Sequence, residues 1–182
     1  VSGGGARWKG RILFLGVGRA VYPLQDVDRV LMTHYDSALV GGPARLRGIN
    51  APSYFGAADQ PYLTGKKRPP LSNHKGALQN ALGPFLKSPP VSVETVADGE
   101  AVGSFTAYHT PGHTPGHVTY VSDTLDAAFL GDLVTESGGQ LRASPWLMSY
   151  DTDAVAESVR DLADRAPGFS VAAMGHGTPF ER

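Results

Sequence analysis

The chain has 182 residues, of which 41% are apolar and 18% charged, with 16 basic against 17 acidic groups and a net charge of -1. Near-neutral charge gives no electrostatic case for a nucleic-acid or membrane-surface partner, and this apolar content excludes intrinsic disorder. The chain contains no cysteine, so disulfides, thiolate catalysis and cysteine-held metals are excluded, and any metal must be held by His, Asp or Glu.

In chain order, residues 1–6 (VSGGGA) are expected to form a flexible leader and residues 7–182 a single domain. Arg11 to Leu15 reads as a strand closed by Gly16 and Gly18, and Asp28 to Thr33 as a buried strand running straight into His34. Ser37 to Arg47 can hold a short helix, interrupted by Gly41-Gly42-Pro43. Ile49 to Phe55 is a weaker strand, and Ala57 to Leu63 one or two helical turns. Residues 65–73 form a basic, proline-broken loop in which Lys66-Lys67-Arg68 reads as a solvated stretch. From Lys75 to Leu86 the apolar positions 78, 81, 82, 85 and 86 have helical spacing. Four strands follow: Ser92 to Val96, Phe105 to Tyr108, Val118 to Val121 and Ala127 to Leu130. The spacing of Val155, Val159 and Leu162 predicts a helix over 151–165, with Asp151 or Thr152 as N-cap and Pro167-Gly168 as its stop. Ser170 to Met174 is a last strand, ending at Gly175-His176-Gly177. Strands first, then strands mixed with helices, favour an α/β layered fold with helices packed on sheets. No apolar run reaches the length of a membrane span and no signal-peptide core follows a basic start, so a cytoplasmic location is expected.

Four of the six histidines, His34, His109, His113 and His176, stand at strand ends or in Gly/Pro turns, where layered α/β folds place ligand groups. The densest stretch is His-Thr-Pro-Gly-His-Thr-Pro-Gly-His over 109–117. Two stiff turns there present an imidazole with little conformational search, which suits a metal ligand; a pair of surface turns is the alternative. Asp132 follows Leu130-Gly131 at a strand end. His34 and Asp36 point to one side of an extended chain, which makes half a coordination sphere.

Taken together, Thr33-His34-Tyr35-Asp36-Ser37-Ala38-Leu39-Val40-Gly41-Gly42, Thr110-Pro111-Gly112-His113, Gly131-Asp132 and Gly175-His176-Gly177 resemble, in order and spacing, the motifs of the metallo-β-lactamase superfamily. The resemblance runs from about Val27 to Pro179. It implies an αββα sandwich with the metal site along one edge, the N-terminal part being shortened. It also implies a first metal on His34, Asp36 and His113, and a second on positions 38 and 39 and His176, with Asp132 bridging. Asp36 and Asp132 are its candidate catalytic carboxylates. Ala38 and Leu39, standing where the family has Asp and His, cannot bind metal. One ion, zinc before iron or manganese, is therefore expected rather than two. With six residues after His176, the extra C-terminal domain of glyoxalase II-type members is not expected in this sequence.

The resemblance implies a hydrolase acting on a small-molecule ester, thioester, lactone or amide through metal-activated water. His34, His113 and Asp132 also form a two-His-one-carboxylate set, the ligand type of non-haem iron oxygenases. The superfamily's persulfide dioxygenases use ligands at those positions, so an Fe(II) dioxygenase is the alternative, and a catalytically disabled variant the third reading. Trp8, Tyr35, Tyr54 and Trp146 read as packing or pocket-wall groups, and His74 and His117 as residues that do not ligate a metal directly. His109 reads equally as support for a ligand and as a surface residue.

Overall fold

The computed structural model describes residues 12–13, 28–36, 51–71, 73–82, 93–176 and 179–181. The proposed leader, the short helix expected within 37–47 and positions 38 and 39 all lie outside the described residues.

Two sheets carry the fold. The first has four parallel strands in the order β1 (Ile12–Leu13), β2 (Arg29–Leu31), β3 (Ser53–Gly56) and β4 (Val93–Val96). The second has six strands in the order β12-β11-β8-β7-β6-β5. These are β5 (Ala101–Val102), β6 (Phe105–His109), β7 (Val118–Ser122), β8 (Ala127–Gly131), β11 (Val171–Met174) and β12 (Phe180–Glu181). Strands β5 to β8 form an antiparallel meander, β11 joins β8 in parallel, and β12 pairs antiparallel with β11.

The central strand β7 (VTYVS) is buried at all five positions. A strand covered on both faces loses the usual polar alternation. On one side, Leu31 and Val96 of the first sheet pack with Phe105, Val118 and Tyr120 of the second. On the other, Val155 and Leu162 of the helix Thr152–Arg165 meet Val121, Ala128, Leu130 and Ala172. The described layers are thus sheet, sheet and helix, the α/β layered architecture expected from the element order. That helix is capped as the sequence suggests: the Asp151 carboxylate accepts from the Asp153 and Ala154 amides at 3.0 Å. Arg165 near its end is salt-bridged to Asp161 at 2.7 Å and Asp98 at 2.6 Å. With two shorter helices, Gln60–Leu63 (α1) and His74–Leu82 (α2), it is α3.

Three features escape a reading by periodicity. Strands β5 and β12 have two residues each, too few to show alternation. The hairpin β9 (Val134–Ser137) and β10 (Gln140–Ala143) stands outside the core, with β10 exposed throughout. Its turn, Gly138-Gly139, has φ of 64° and 77°, the double positive φ that a two-residue hairpin turn needs. Among the described residues no helix is long and apolar enough to cross a membrane.

Candidate metal centre

The sequence places its polar groups where strands end, and the fold gathers those ends at one edge of the sandwich. His34 follows β2, Asp132 follows β8 and His176 follows β11. His113 sits in the turn between β6 and β7. The backbone of that turn is fastened on both sides: the Tyr150 and Asp151 amides donate to Gly112 O at 2.9 Å, and Gly112 N donates to Thr114 O at 3.1 Å. Gly112 has φ of 133° and its Cα faces Val155, where a Cβ would come within 2.4 Å of the helix backbone. Only glycine fits this approach between turn and helix.

His34, His113 and Asp132 form one compact, buried cluster able to hold an ion. Asp132 Oδ2 lies 3.6 Å from His34 Nε2 and 3.4 Å from His113 Nε2. Burial holds His34 well below its ordinary pKa and His113 down to about 2, with the Lys75 ammonium adding to both. Both rings are therefore neutral and offer a lone pair. The 3.4 and 3.6 Å spacings exceed hydrogen-bond lengths but match two ligands on one ion. Donors about 2.05 Å from a tetrahedral zinc stand about 3.3 Å apart. Burial also raises the Asp132 carboxyl, opposed by the neighbouring His176 and Lys75.

The supporting contacts fix these groups. Thr33 Oγ1 meets His34 Nδ1 at 2.9 Å, turning Nε2 towards Asp132. His117 is fully buried. Its Nδ1 pairs with Thr110 Oγ1 at 2.8 Å, and its Nε2 accepts from the Asp132 amide at 3.2 Å. It carries no ligand atom into the cluster but locks the backbone of a residue that does.

Asp36 and His176 stand differently. Asp36 Oδ2 is 3.5 Å from His113 Nε2, but that oxygen is ion-paired with Lys75 Nζ at 2.7 Å, and Oδ1 accepts from Gln79 Nε2 at 2.5 Å. His176 Nε2 is 3.6 Å from Asp132 Oδ2, on a side chain 57% exposed, at the rim of the cluster.

Lys75, Gln79 and Asp59 are missed by sequence reasoning. Lys75 and Gln79 are one helical turn apart on α2, and that i, i+4 spacing is the signal that could have found them. Asp59, between β3 and α1, turns inward. Its carboxylate accepts from Tyr35 N at 3.0 Å, Thr114 Oγ1 at 2.7 Å and Gly116 N at 2.7 Å. Burial pushes Asp59 up to about 6 in spite of these donors. The other flagged groups lie elsewhere. His74 stacks on Trp146 at 4.0 Å, and His109 Nε2 meets Val96 O at 2.9 Å. Tyr35 is buried, stacks on Tyr62 and joins Tyr150 and Gln79 through its hydroxyl.

These shifts set a pH dependence for the metal-free protein. Burial lowers His34, His113 and His117 below 6.5 in the fold. An unfolded chain therefore takes up protons below pH 6.5 that the fold refuses, and stability falls with pH. Asp59 and Asp132 are raised and act in the opposite sense, the fold holding protons that the unfolded chain has released. Three histidines outweigh two carboxyls, so the expected loss is about 1–3 kcal/mol per pH unit between pH 6 and 5. Urea unfolding at several pH values in chelator measures it, and a flat profile would contradict it.

A second expectation concerns Gly175, whose amide donates to Gly131 O at 2.8 Å. A Cβ there would lie 2.0 Å from Asp132 Oδ1, and the cluster leaves that carboxylate little room to yield. Gly175→Ala should weaken zinc binding about tenfold or more, read by chelator competition. Gly168→Ala, where a Cβ meets nothing within 4 Å, should not.

The family model described as the metallo-beta-lactamase superfamily matches residues 2–176. Among solved structures, the chain is 26% identical to TTHA1623, crystallised in a di-iron-bound form, with a TM-score of 0.63 over 85% of this chain and 72% of that one. It is 28% identical to the metallo-beta-lactamase SMB-1 bound to 2-mercaptoethanesulfonate, with a TM-score of 0.55 over 86% of this chain and 61% of that one. A metallo-beta-lactamase from Erythrobacter litoralis is 26% identical, with a TM-score of 0.55 over 86% of this chain and 63% of that one. The chain thus spans less than two thirds of the length of the last two. No curated protein matches it significantly.

Proposed function

The chain belongs to the metallo-beta-lactamase superfamily, and on that premise we propose that it is a hydrolase of small-molecule esters, thioesters, lactones or amides that works with one metal ion. His34, His113 and Asp132 would hold the ion, zinc being the first candidate. The observation that carries this reading is the position of Asp132 Oδ2, 3.6 and 3.4 Å from two neutral imidazole nitrogens. Three donors, two nitrogen and one oxygen, are the number that catalytic zinc sites take from the protein. When bound, such an ion polarises a carbonyl and brings the pKa of a bound water to about 7.

The chain's own residues prepare the centre. Burial keeps the two rings unprotonated. Thr33 and His117 hold His34 and the Asp132 backbone in place. For His176, exposed at the rim and 3.6 Å from Asp132, the role that fits this reading is contact with substrate rather than with the ion.

A second reading is supported by the same two-His-one-carboxylate set, which also suits Fe(II), and by the di-iron form of one neighbour. Metal analysis of the purified protein separates them, with a hydrolysis panel of lactone, thioester and β-lactam substrates before and after chelation. Hydrolysis that is lost with the metal and restored by zinc is the expected result. Iron with oxygen uptake would favour the dioxygenase. A protein that binds no metal and hydrolyses nothing would overturn both.

A further inference from the structure

We propose that Lys75 is a built-in cation of the centre: its ammonium fills the place between Asp36 and His113, withholding Asp36 from the metal and leaving the ion to His34, His113 and Asp132. The inference rests on the single-metal reading above and adds a residue that restricts it.

The contacts of the ammonium are those of a cation on a ligand set. Lys75 Nζ lies 2.7 Å from Asp36 Oδ2, 2.8 Å from His113 O and 2.9 Å from His113 Nε2. Its three N–H bonds thus have three acceptors, two of them on His113. The side chain is 9% exposed, so the charge is compensated by Asp36 and not by water. Asp36 is engaged through both oxygens in turn, one on Lys75 and the other on Gln79, both delivered by α2. The backbone that presents them is held locally. Asn73 Oδ1 accepts from the Lys75 amide at 2.9 Å, and Asn73 Nδ2 donates to Tyr150 O at 2.8 Å.

Loading an ion on His113 Nε2 therefore requires the ammonium to give up one of its three bonds while the other two, to Asp36 and His113 O, remain. A fixed positive charge stays beside the incoming ion and weakens its binding. Asp36 remains a counter-ion for lysine.

The test is zinc affinity, measured on the full chain by competition with a chromophoric chelator and by metal content after dialysis. Lys75→Met keeps the stem and removes the charge. It should bind zinc at least tenfold more tightly than the unsubstituted protein. The double variant Lys75→Met with Asp36→Asn should give that gain back, because Asp36 is what the change releases. Affinity unchanged or weakened in a folded Lys75→Met protein, by circular dichroism, would overturn the proposal.

A second measurement uses the unsubstituted chain and so survives a variant that fails to fold. Amine acetylation read by mass spectrometry should leave Lys75 unmodified with and without zinc, since it stays on Asp36. Lys75 becoming reactive on zinc loading would also overturn it. The two readings separate cleanly. If the unsubstituted protein binds no zinc and Lys75→Met binds one ion, the withholding of Asp36 by the lysine stands while the single-metal reading of the unsubstituted protein fails. If the unsubstituted protein binds one ion and Lys75→Met binds no more tightly, the reverse holds. Zinc binding by neither protein removes both.

Discussion

Asp132→Ala should lower zinc affinity by at least about 100-fold while leaving the metal-free protein as stable as before, or about 1 kcal/mol more stable. The first half follows from geometry. Among the described residues, Asp132 Oδ2 is the carboxylate oxygen that approaches His34, His113 and His176 together, at 3.6, 3.4 and 3.6 Å. Two imidazoles without it are too few donors to hold zinc. The second half follows from burial, which raises the Asp132 carboxyl because its ionised form is poorly solvated there. Removing a group that the empty fold accommodates at a cost relieves that cost. The Asp132 amide bond to His117 Nε2 does not depend on the side chain. Calorimetric zinc titration and urea unfolding in chelator read the two halves separately. A large fall in metal-free stability would mean that the carboxylate has a structural role instead.

Asp59→Ala should behave in the opposite way, losing about 3–5 kcal/mol of stability. Three donors converge on this carboxylate from two different segments: Tyr35 N beside His34, and Thr114 Oγ1 and Gly116 N beside His113. Alanine would leave all three buried without an acceptor, and each such group costs about 1–3 kcal/mol, partly recovered by water. Asparagine keeps one acceptor oxygen and should lose less. Thermal and urea unfolding at pH 7 give the comparison. Asp59→Ala unfolding within about 1 kcal/mol of the parent would show that other contacts hold the two loops.

The parts of the centre that could be read from sequence are those that punctuation marks. His113 lies within two Thr-Pro-Gly turns, His34 ends an apolar strand, and Asp132 and His176 follow glycine. Gly and Pro restrict the backbone whatever the context, so their message is local. Lys75 is invisible by the same logic. Helical spacing over 75–86 draws attention to the apolar positions, and a lysine at the head of a helix reads as solvated until the fold turns that end inward. Asp59 is hidden for a related reason: a carboxylate just before a helix resembles a cap, yet its side chain makes no cap bond and reaches two distant loops. The layered fold was legible because its long strands and α3 are strongly patterned. Strands β5 and β12 and the exposed β10 were not, since pairing and not burial defines them.

One backbone contact bears on how the two sheets are held together. The Val118 amide, at the start of β7, donates to Thr33 O just beyond β2 at 2.7 Å. That bond crosses from one sheet to the other within a residue of His34 on one side and of His117 on the other. The Tyr120 hydroxyl of β7 adds contacts to Met32 O at 3.4 Å and Tyr54 O at 3.3 Å across the same interface, and the remaining packing there is apolar and without preferred direction. These bonds rivet the two sheets beside the histidines, where main-chain geometry and not apolar contact alone fixes their relative position. The segment carrying His34 and the turn carrying His113 are thereby tied through main chain, so their spacing does not rest on side-chain packing alone.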